Sequence, residues 1–214
     1  MRLDHVSYVA SHAQISDVVN RIGSQIGTAF VDGGIHPKFG TRNFTAPLLN
    51  GQYIEVVCPL DHPATDLTPF GNAVKKKAEA GGGWLTWVFS SSDLAKVEEK
   101  FGRKAADGSR TRPDGSELKW KQIGVKDIIG AGELPFFIQW LTEMHPSKDG
   151  ISVAKIAKIT IADDEQLADS WFQHEIKSSL TGIEIEWVNP ELNDGYKGIV
   201  NIEFDIEGRV VVLN

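Results

Sequence analysis

The chain predicts an α+β fold built from tandem βαβββ modules, with a third, degenerate βαβββ-like unit at the C-terminal end. Three observations carry this. The apolar segment Tyr53-Ile54-Glu55-Val56-Val57-Cys58 is echoed by Pro135-Phe136-Phe137-Ile138-Gln139-Trp140, with Gln139 where Glu55 stands. Each copy is followed by a His-Pro pair, His62-Pro63 and His145-Pro146. Ahead of each copy, hydrophobic spacing reads as strand, helix and further strands. The expected organisation is a first module over 1–62, a linker with a short helix over 63–83, a second module over 84–146 and a degenerate α+β unit over 147–214.

In chain order, Leu3 to Ala10 alternates, with Val6, Tyr8 and Ala10 on one side and Leu3, His5 and Ser7 on the other. Ile15, Val18, Val19, Ile22 and Ile26 recur at helical spacing before Gly27, a natural stop. A short strand is expected near 28–32, and the glycines and proline of Gly33 to Thr41 predict a loop. Arg42 to Leu49 and Gly51 to Cys58 read as strands joined across Asn50-Gly51, a strong hairpin signal.

Phe70 to Ala80 predicts a short helix ended by Gly81-Gly82-Gly83. Trp84 to Phe89 repeats the opening strand, with Leu85, Trp87 and Phe89 on its apolar side, and Ser91-Ser92-Asp93 caps a helix carrying Leu94, Val97 and Phe101. Aligning His36-Pro37 with Arg112-Pro113 sets Lys119-Trp120 opposite Asn43-Phe44, and a longer hairpin from Val125 to Glu133 precedes the Gln139 strand. Trp84 aligns with His5. In the third unit, Ile156 to Ile161, Ile183 to Val188, Ile199 to Ile206 and Arg209 to Leu213 read as strands, with Glu207-Gly208 at a hairpin tip and a helix over Leu167 and Trp171.

With 214 residues, 41% hydrophobic and 24% charged, the chain has ample core for a globular protein. A formal net charge of −7 provides no footprint for nucleic acid or anionic membrane, and Lys75-Lys76-Lys77 reads as a solvated helix face. Met1 to His12 reads as a strand rather than a secretory or membrane segment, so the cytoplasm is expected. The single cysteine, Cys58, falls on the apolar side of its strand and reads as a packing residue.

Alternation puts Tyr53, Glu55 and Val57 on one face and Ile54, Val56 and Cys58 on the other, so one carboxylate stands in an apolar segment where an unpaired charge would be costly. A polar cavity between the modules follows, with a small-molecule ligand as the expected partner. His36 is either an acid/base group or substrate contact at the cavity mouth, or an exposed loop residue. Asn43 and Arg112 are candidate anchors for a carbonyl or carboxylate, and Trp84 is a candidate cavity wall. His62 and His145 precede prolines and read as chain-turning residues; His12 and His174 read as superficial.

The motifs also carry a family resemblance. Leu3-Asp4-His5-Val6 with Tyr53-Ile54-Glu55-Val56, Gly34-Ile35-His36-Pro37 with Gly40-Thr41-Arg42-Asn43, Gly82-Gly83-Trp84, and Leu134 to Trp140 followed by His145-Pro146 resemble the glyoxalase-like branch of the vicinal oxygen chelate superfamily. The fold is then of the glyoxalase, bleomycin resistance and dihydroxybiphenyl dioxygenase type. The resemblance implies a divalent metal (Zn, Fe, Mn or Ni) on His5, Glu55 and Gln139, with Glu55 also catalytic and Trp84 where a fourth ligand would stand; an indole cannot ligate. Two readings stay open: a metal-dependent lyase, isomerase or dioxygenase, and a metal-free small-molecule binding or resistance protein. The strands of the third unit would suit a homodimer surface.

Overall fold

The structure is a computed structural model that describes residues 1–128, 134–172 and 176–214. Eight strands close into a barrel in the order β1 (Arg2–Val9), β4 (Tyr53–Pro59), β3 (Thr41–Pro47), β2 (Val31–His36), β6 (Ala106–Thr111), β7 (Glu117–Ile123), β8 (Phe136–Trp140) and β5 (Gly83–Ser90). Both halves share one pairing scheme, in which the first strand runs parallel to the last: β1 with β4, and β5 with β8. They are sewn together antiparallel at β1–β5 and at β2–β6. Closure leaves the barrel without edges.

The helix α1 (Ile15–Ile26) forms where the apolar spacing predicts and ends at Gly27, whose φ of 68° turns the chain so that the Thr28 N–H reaches the Gly23 carbonyl at 3.1 Å. Its apolar stripe packs with Val6 and Tyr8 on the outside of the barrel. Asn50 and Gly51, both at positive φ (62° and 70°), turn the chain between β3 and β4, as their residue types favour. The segment expected as a linker does more than connect: α2 (Pro63–Leu67) and α3 (Pro69–Glu79) follow each other, and Phe70, Ala73 and Val74 of α3 join inward residues of β1, β4, β5, β7 and β8 in a single apolar cluster. In the second half, α4 (Ala95–Phe101) matches its expected place.

Four local readings are corrected. Gly33 to His36 is strand, not loop, because the glycines serve close approach: a Cβ on Gly33 would lie 2.0 Å from Nη1 of Arg110, and one on Gly34 would lie 1.9 Å from the Thr111 carbonyl oxygen. Leu3 does not share the side of His5. The β1–β5 register shifts between Leu3 and His5, so Asp4 is an extra residue in the ladder and Leu3 joins Val6 in the outer core. A second shift, between Ser7 and Tyr8, puts Leu85 with the inner cluster while Trp84, Trp87 and Phe89 face outward. Val125–Ile128 forms a 3-10 turn in place of a hairpin arm; the remainder of that expected hairpin, and His174, lie outside the described residues.

The C-terminal part comprises β9 (Ala154–Ala162), α5 (Glu165–Phe172), β10 (Glu184–Val188), β11 (Gly198–Ile206) and β12 (Arg209–Leu213), so the expected strands and helix are present. Their sheet has the order β10-β9-β11-β12, in which the first strand is flanked by the second and third. In each barrel half, by contrast, the first strand pairs with the fourth, so the expected third βαβββ unit keeps the order of elements and not the pairing. Its apolar face packs on the outside of the barrel, where Trp187 meets Trp87 edge to face at 6.4 Å. Among the described residues, no helix is long and apolar enough to cross a membrane.

Candidate ligand cavity

Inward-facing residues of seven barrel strands converge on a cavity of about 30 Å³, lined by His5, His36, Asn43, Tyr53, Glu55, Arg110, Trp120, Gln122, Ile138 and Trp140, with Phe39, Phe70 and Phe136 as apolar wall. That is room for about two water molecules. Next to it, on the outside, a groove of about 360 Å³ shares Phe39, Phe70 and Gln122 as walls and is bordered by Arg103, Lys104 and Lys126.

Two polar networks furnish the cavity. In the first, Arg110 Nη1 donates to Asn43 Oδ1 at 2.6 Å, Asn43 Nδ2 donates to Glu55 Oε1 at 2.7 Å, and Ser7 Oγ donates to Glu55 Oε2 at 2.6 Å. Burial would raise the Glu55 pKa, but His5 and His36 nearby and the Ser7 and Asn43 hydrogen bonds hold it below the ordinary carboxylate range. Arg110 is only 2% exposed, and its Nη2 has no hydrogen-bond partner.

In the second network, Asp4 is fully buried and accepts from His5 Nδ1 (2.8 Å), His145 Nε2 (3.2 Å) and Trp140 Nε1 (3.3 Å). Burial opposes its charge, yet the hydrogen bonds from His145 and His5 outweigh that and hold its carboxyl well below the usual range. His5 is stacked on Tyr53 with ring centroids 4.4 Å apart. Burial, with Asp4 and Glu55 close by, pushes the Tyr53 phenol up, so it stays protonated. His36 is buried in β2 with Nδ1 at 2.9 Å from Thr41 Oγ1, and burial pushes its pKa down to about 4, so it is a neutral imidazole at neutral pH.

The expected site residues divide. His5, His36, Asn43 and Glu55 all line the cavity. Gln139 does not: alternation along β8 brings Phe136, Ile138 and Trp140 inward, and Gln139 donates outside to the Ser92 carbonyl at 2.7 Å. A one-residue slip in parity moves a strand's whole side-chain set to the other face. Trp84 also faces outward, donating to the Leu213 carbonyl at 2.9 Å. Arg112 stands just past the end of β6 and is paired with Asp149 at 2.6 Å, while Arg110, two residues earlier, faces in.

His62 and His145 cap turns through Nδ1, as read from their prolines, but the reach of His145 to Asp4 was hidden. Sequence reasoning also missed Asp4, Arg110, Gln122 and Trp140. Alternation across Gly108-Ser109-Arg110 and Trp120-Lys121-Gln122 was the available signal for two of them. Cys58 is buried on the outer side, and burial pushes its thiol up to about 11.

A metal centre does not fit this donor set. Ladder positions pair His5 with Tyr53 and Ser7 with Glu55 in the first half; in the second half Val88 pairs with Phe136 and Ser90 with Ile138. The counterparts of His5 and Glu55 are therefore Val88 and Ile138, neither of which can ligate. Both Glu55 oxygens already accept hydrogen bonds, and among the described residues there is no group of three or more His, Cys, Asp or Glu that could hold an ion. A catalytic centre of this sort needs at least three protein donors.

The family model described as a glyoxalase-like domain matches residues 3–175. No curated protein matches the chain. Among solved structures, a hypothetical protein from Staphylococcus aureus is similar with a TM-score of 0.63 at 17% identity, covering 100% of this chain and 98% of that one, which is a likeness of fold. Methylmalonyl-CoA epimerase from Mycobacterium tuberculosis gives a TM-score of 0.42 at 15% identity over 65% of this chain and 86% of that one. The Streptomyces coelicolor epimerase in complex with 2-nitronate-propionyl-CoA gives 0.46 at 16% over 66% and 99%. With the family match spanning most of its length, the chain belongs to the glyoxalase-like domain family.

Proposed function

We propose that this chain is a metal-free small-molecule-binding protein, in which two tandem four-stranded units enclose the polar head of a ligand between aromatic walls. The observation that carries the reading is Arg110: a guanidinium 2% exposed, lining the cavity, with an Nη2 donor that no protein group satisfies. Leaving such a donor without an acceptor costs about 1–3 kcal/mol, more for a charged group, so a ligand oxygen there gains what the empty site forgoes. The cavity accommodates only a small head, and a longer ligand would run past Phe39 and Phe70 into the outer groove.

Trp120 and Trp140 line the cavity and act as reporters. Titration with short-chain amides, ketones and carboxylates should shift tryptophan emission, the shift should persist in EDTA, and Arg110→Gln should weaken it about tenfold or more. A response abolished by EDTA and restored by one divalent cation would refute the metal-free reading.

The Asp4–His5 pair favours a second reading, turnover by proton transfer. An imidazole oriented by a buried carboxylate is a suitable base, and Arg110 could stabilise an oxyanion formed when a carbon acid gives up its proton to His5 Nε2. Exchange of α-hydrogens of a bound ketone in D₂O, lost in His5→Phe, would mark that activity.

A further inference from the structure

Building on the small-molecule reading above, we propose that the cavity selects an uncharged head group carrying both a hydrogen-bond donor and an acceptor, of which a primary carboxamide is a small planar case. The argument starts at Asp4. Its ionised carboxylate only accepts, so the His5 Nδ1 atom at 2.8 Å carries the hydrogen, and in the neutral ring Nε2 is left with a lone pair. His145 and Trp140 hold the same carboxylate at 3.2 and 3.3 Å, so it is not at liberty to turn away and release the ring. A buried, doubly anchored partner thus fixes the role of His5 toward the cavity as an acceptor.

Arg110 fixes the complementary role. A guanidinium only donates, and beside Nη1, which is engaged by Asn43, the buried Nη2 has no acceptor. Glu55 adds no comparable demand, since Asn43 and Ser7 each occupy one of its oxygens. A ligand head satisfying both walls therefore offers a carbonyl oxygen to Arg110 and an N–H or O–H to His5.

Charge narrows the class. Asp4 and Glu55 are carboxylates, and Arg110 together with Arg2, whose Nη2 lies 3.5 Å from Asp4 Oδ2, already balances them. A carboxylate head would add an uncompensated charge in a medium of low dielectric and bring no donor for His5. A ketone or ester would leave the His5 lone pair without a partner. An ammonium head would leave Arg110 without an acceptor. A carboxamide meets both needs with no charge, and its plane suits the aromatic walls made by Tyr53, Trp120 and Phe136.

The test uses three molecules of nearly equal size and shape, CH₃–CO–X with X an amino group, a methyl group or an oxygen anion: acetamide, acetone and acetate. Titrated into the full chain at mildly alkaline pH, they are followed by the indole N–H resonances of Trp120 and Trp140. Acetamide should bind about tenfold or more tightly than either of the others, and His5→Phe should bring acetamide down to the level of acetone. If acetone or acetate binds as well as acetamide, the donor-and-acceptor rule is wrong while the binding reading stands. If none of the three moves either indole resonance, both fall. The wild-type comparison stands by itself should His5→Phe fail to fold.

Discussion

Asn43 stands between Arg110 and Glu55 as an amide relay, its Oδ1 at 2.6 Å from the guanidinium and its Nδ2 at 2.7 Å from the carboxylate. The cation and the anion therefore share the barrel interior without touching, each held by one end of a neutral group. Replacing the relay by an isosteric apolar residue, Asn43→Leu, leaves both charges buried and short of a partner. We expect a loss of about 3 kcal/mol, seen as a lower urea midpoint with an unchanged slope. A midpoint within experimental error of the native one would mean that the two charges find other partners.

Gly34 sits at a seam of the barrel. Its φ of 92° and the Thr111 carbonyl oxygen 1.9 Å from where a Cβ would be leave no room for a side chain, and Ile35 to Thr111 is the pairing that joins β2 to β6. Gly34→Ala should lower stability by about 2 kcal/mol or more, roughly 4–8 °C in melting temperature for a chain of this size. Gly115→Ala, also at positive φ but with open space around it, should cost less. Scanning calorimetry of the two variants ranks them.

Stability should decline in mild acid. His36 has its pKa pushed down from 6.5 to about 4 by burial, so between those values the unfolded chain binds a proton that the folded chain does not. Stability is therefore full above pH 6.5 and falls as the pH drops toward 4, by up to about 3 kcal/mol. Asp4 and Glu55, both with pKa values lowered by folding, add a further loss at more acidic pH as their unfolded forms take up protons. His36→Gln should flatten the part of the curve between pH 6.5 and 4 in denaturant titrations.

Trp84 and Gln139 should be silent in ligand binding. Trp84→Phe removes the hydrogen bond to the Leu213 carbonyl on the outer face and should cost about 1 kcal/mol of stability with the tryptophan response to acetamide unchanged. Gln139→Ala should change neither measurably, since its contact is with the exposed Ser92 carbonyl. A weakened acetamide response in either variant would place those side chains nearer the cavity than the barrel register does.

Much of the architecture was legible because it is written in local patterns. The helical spacing of Ile15 to Ile26, the Asn50-Gly51 turn and the alternation around Glu55 each specify an element through neighbours along the chain, and His5, Asn43 and Glu55 followed from them. What local pattern could not supply was parity after a bulge or across a misaligned repeat. Matching Ile54-Glu55 to Ile138-Gln139 placed an amide inward that faces out, and matching His36-Pro37 to Arg112-Pro113 passed over Arg110 by two residues.

By itself, then, the sequence determined the strands, the helices and a buried carboxylate in need of partners, since propensity, periodicity and desolvation act on a residue and its near neighbours. Only the tertiary structure decided who those partners are. Arg110 meets Asn43, and Asp4 meets His145, because a closed barrel brings distant strands and the loop beyond β8 to one interior, and the faces they present there depend on strand register, which one extra residue at Asp4 is enough to shift.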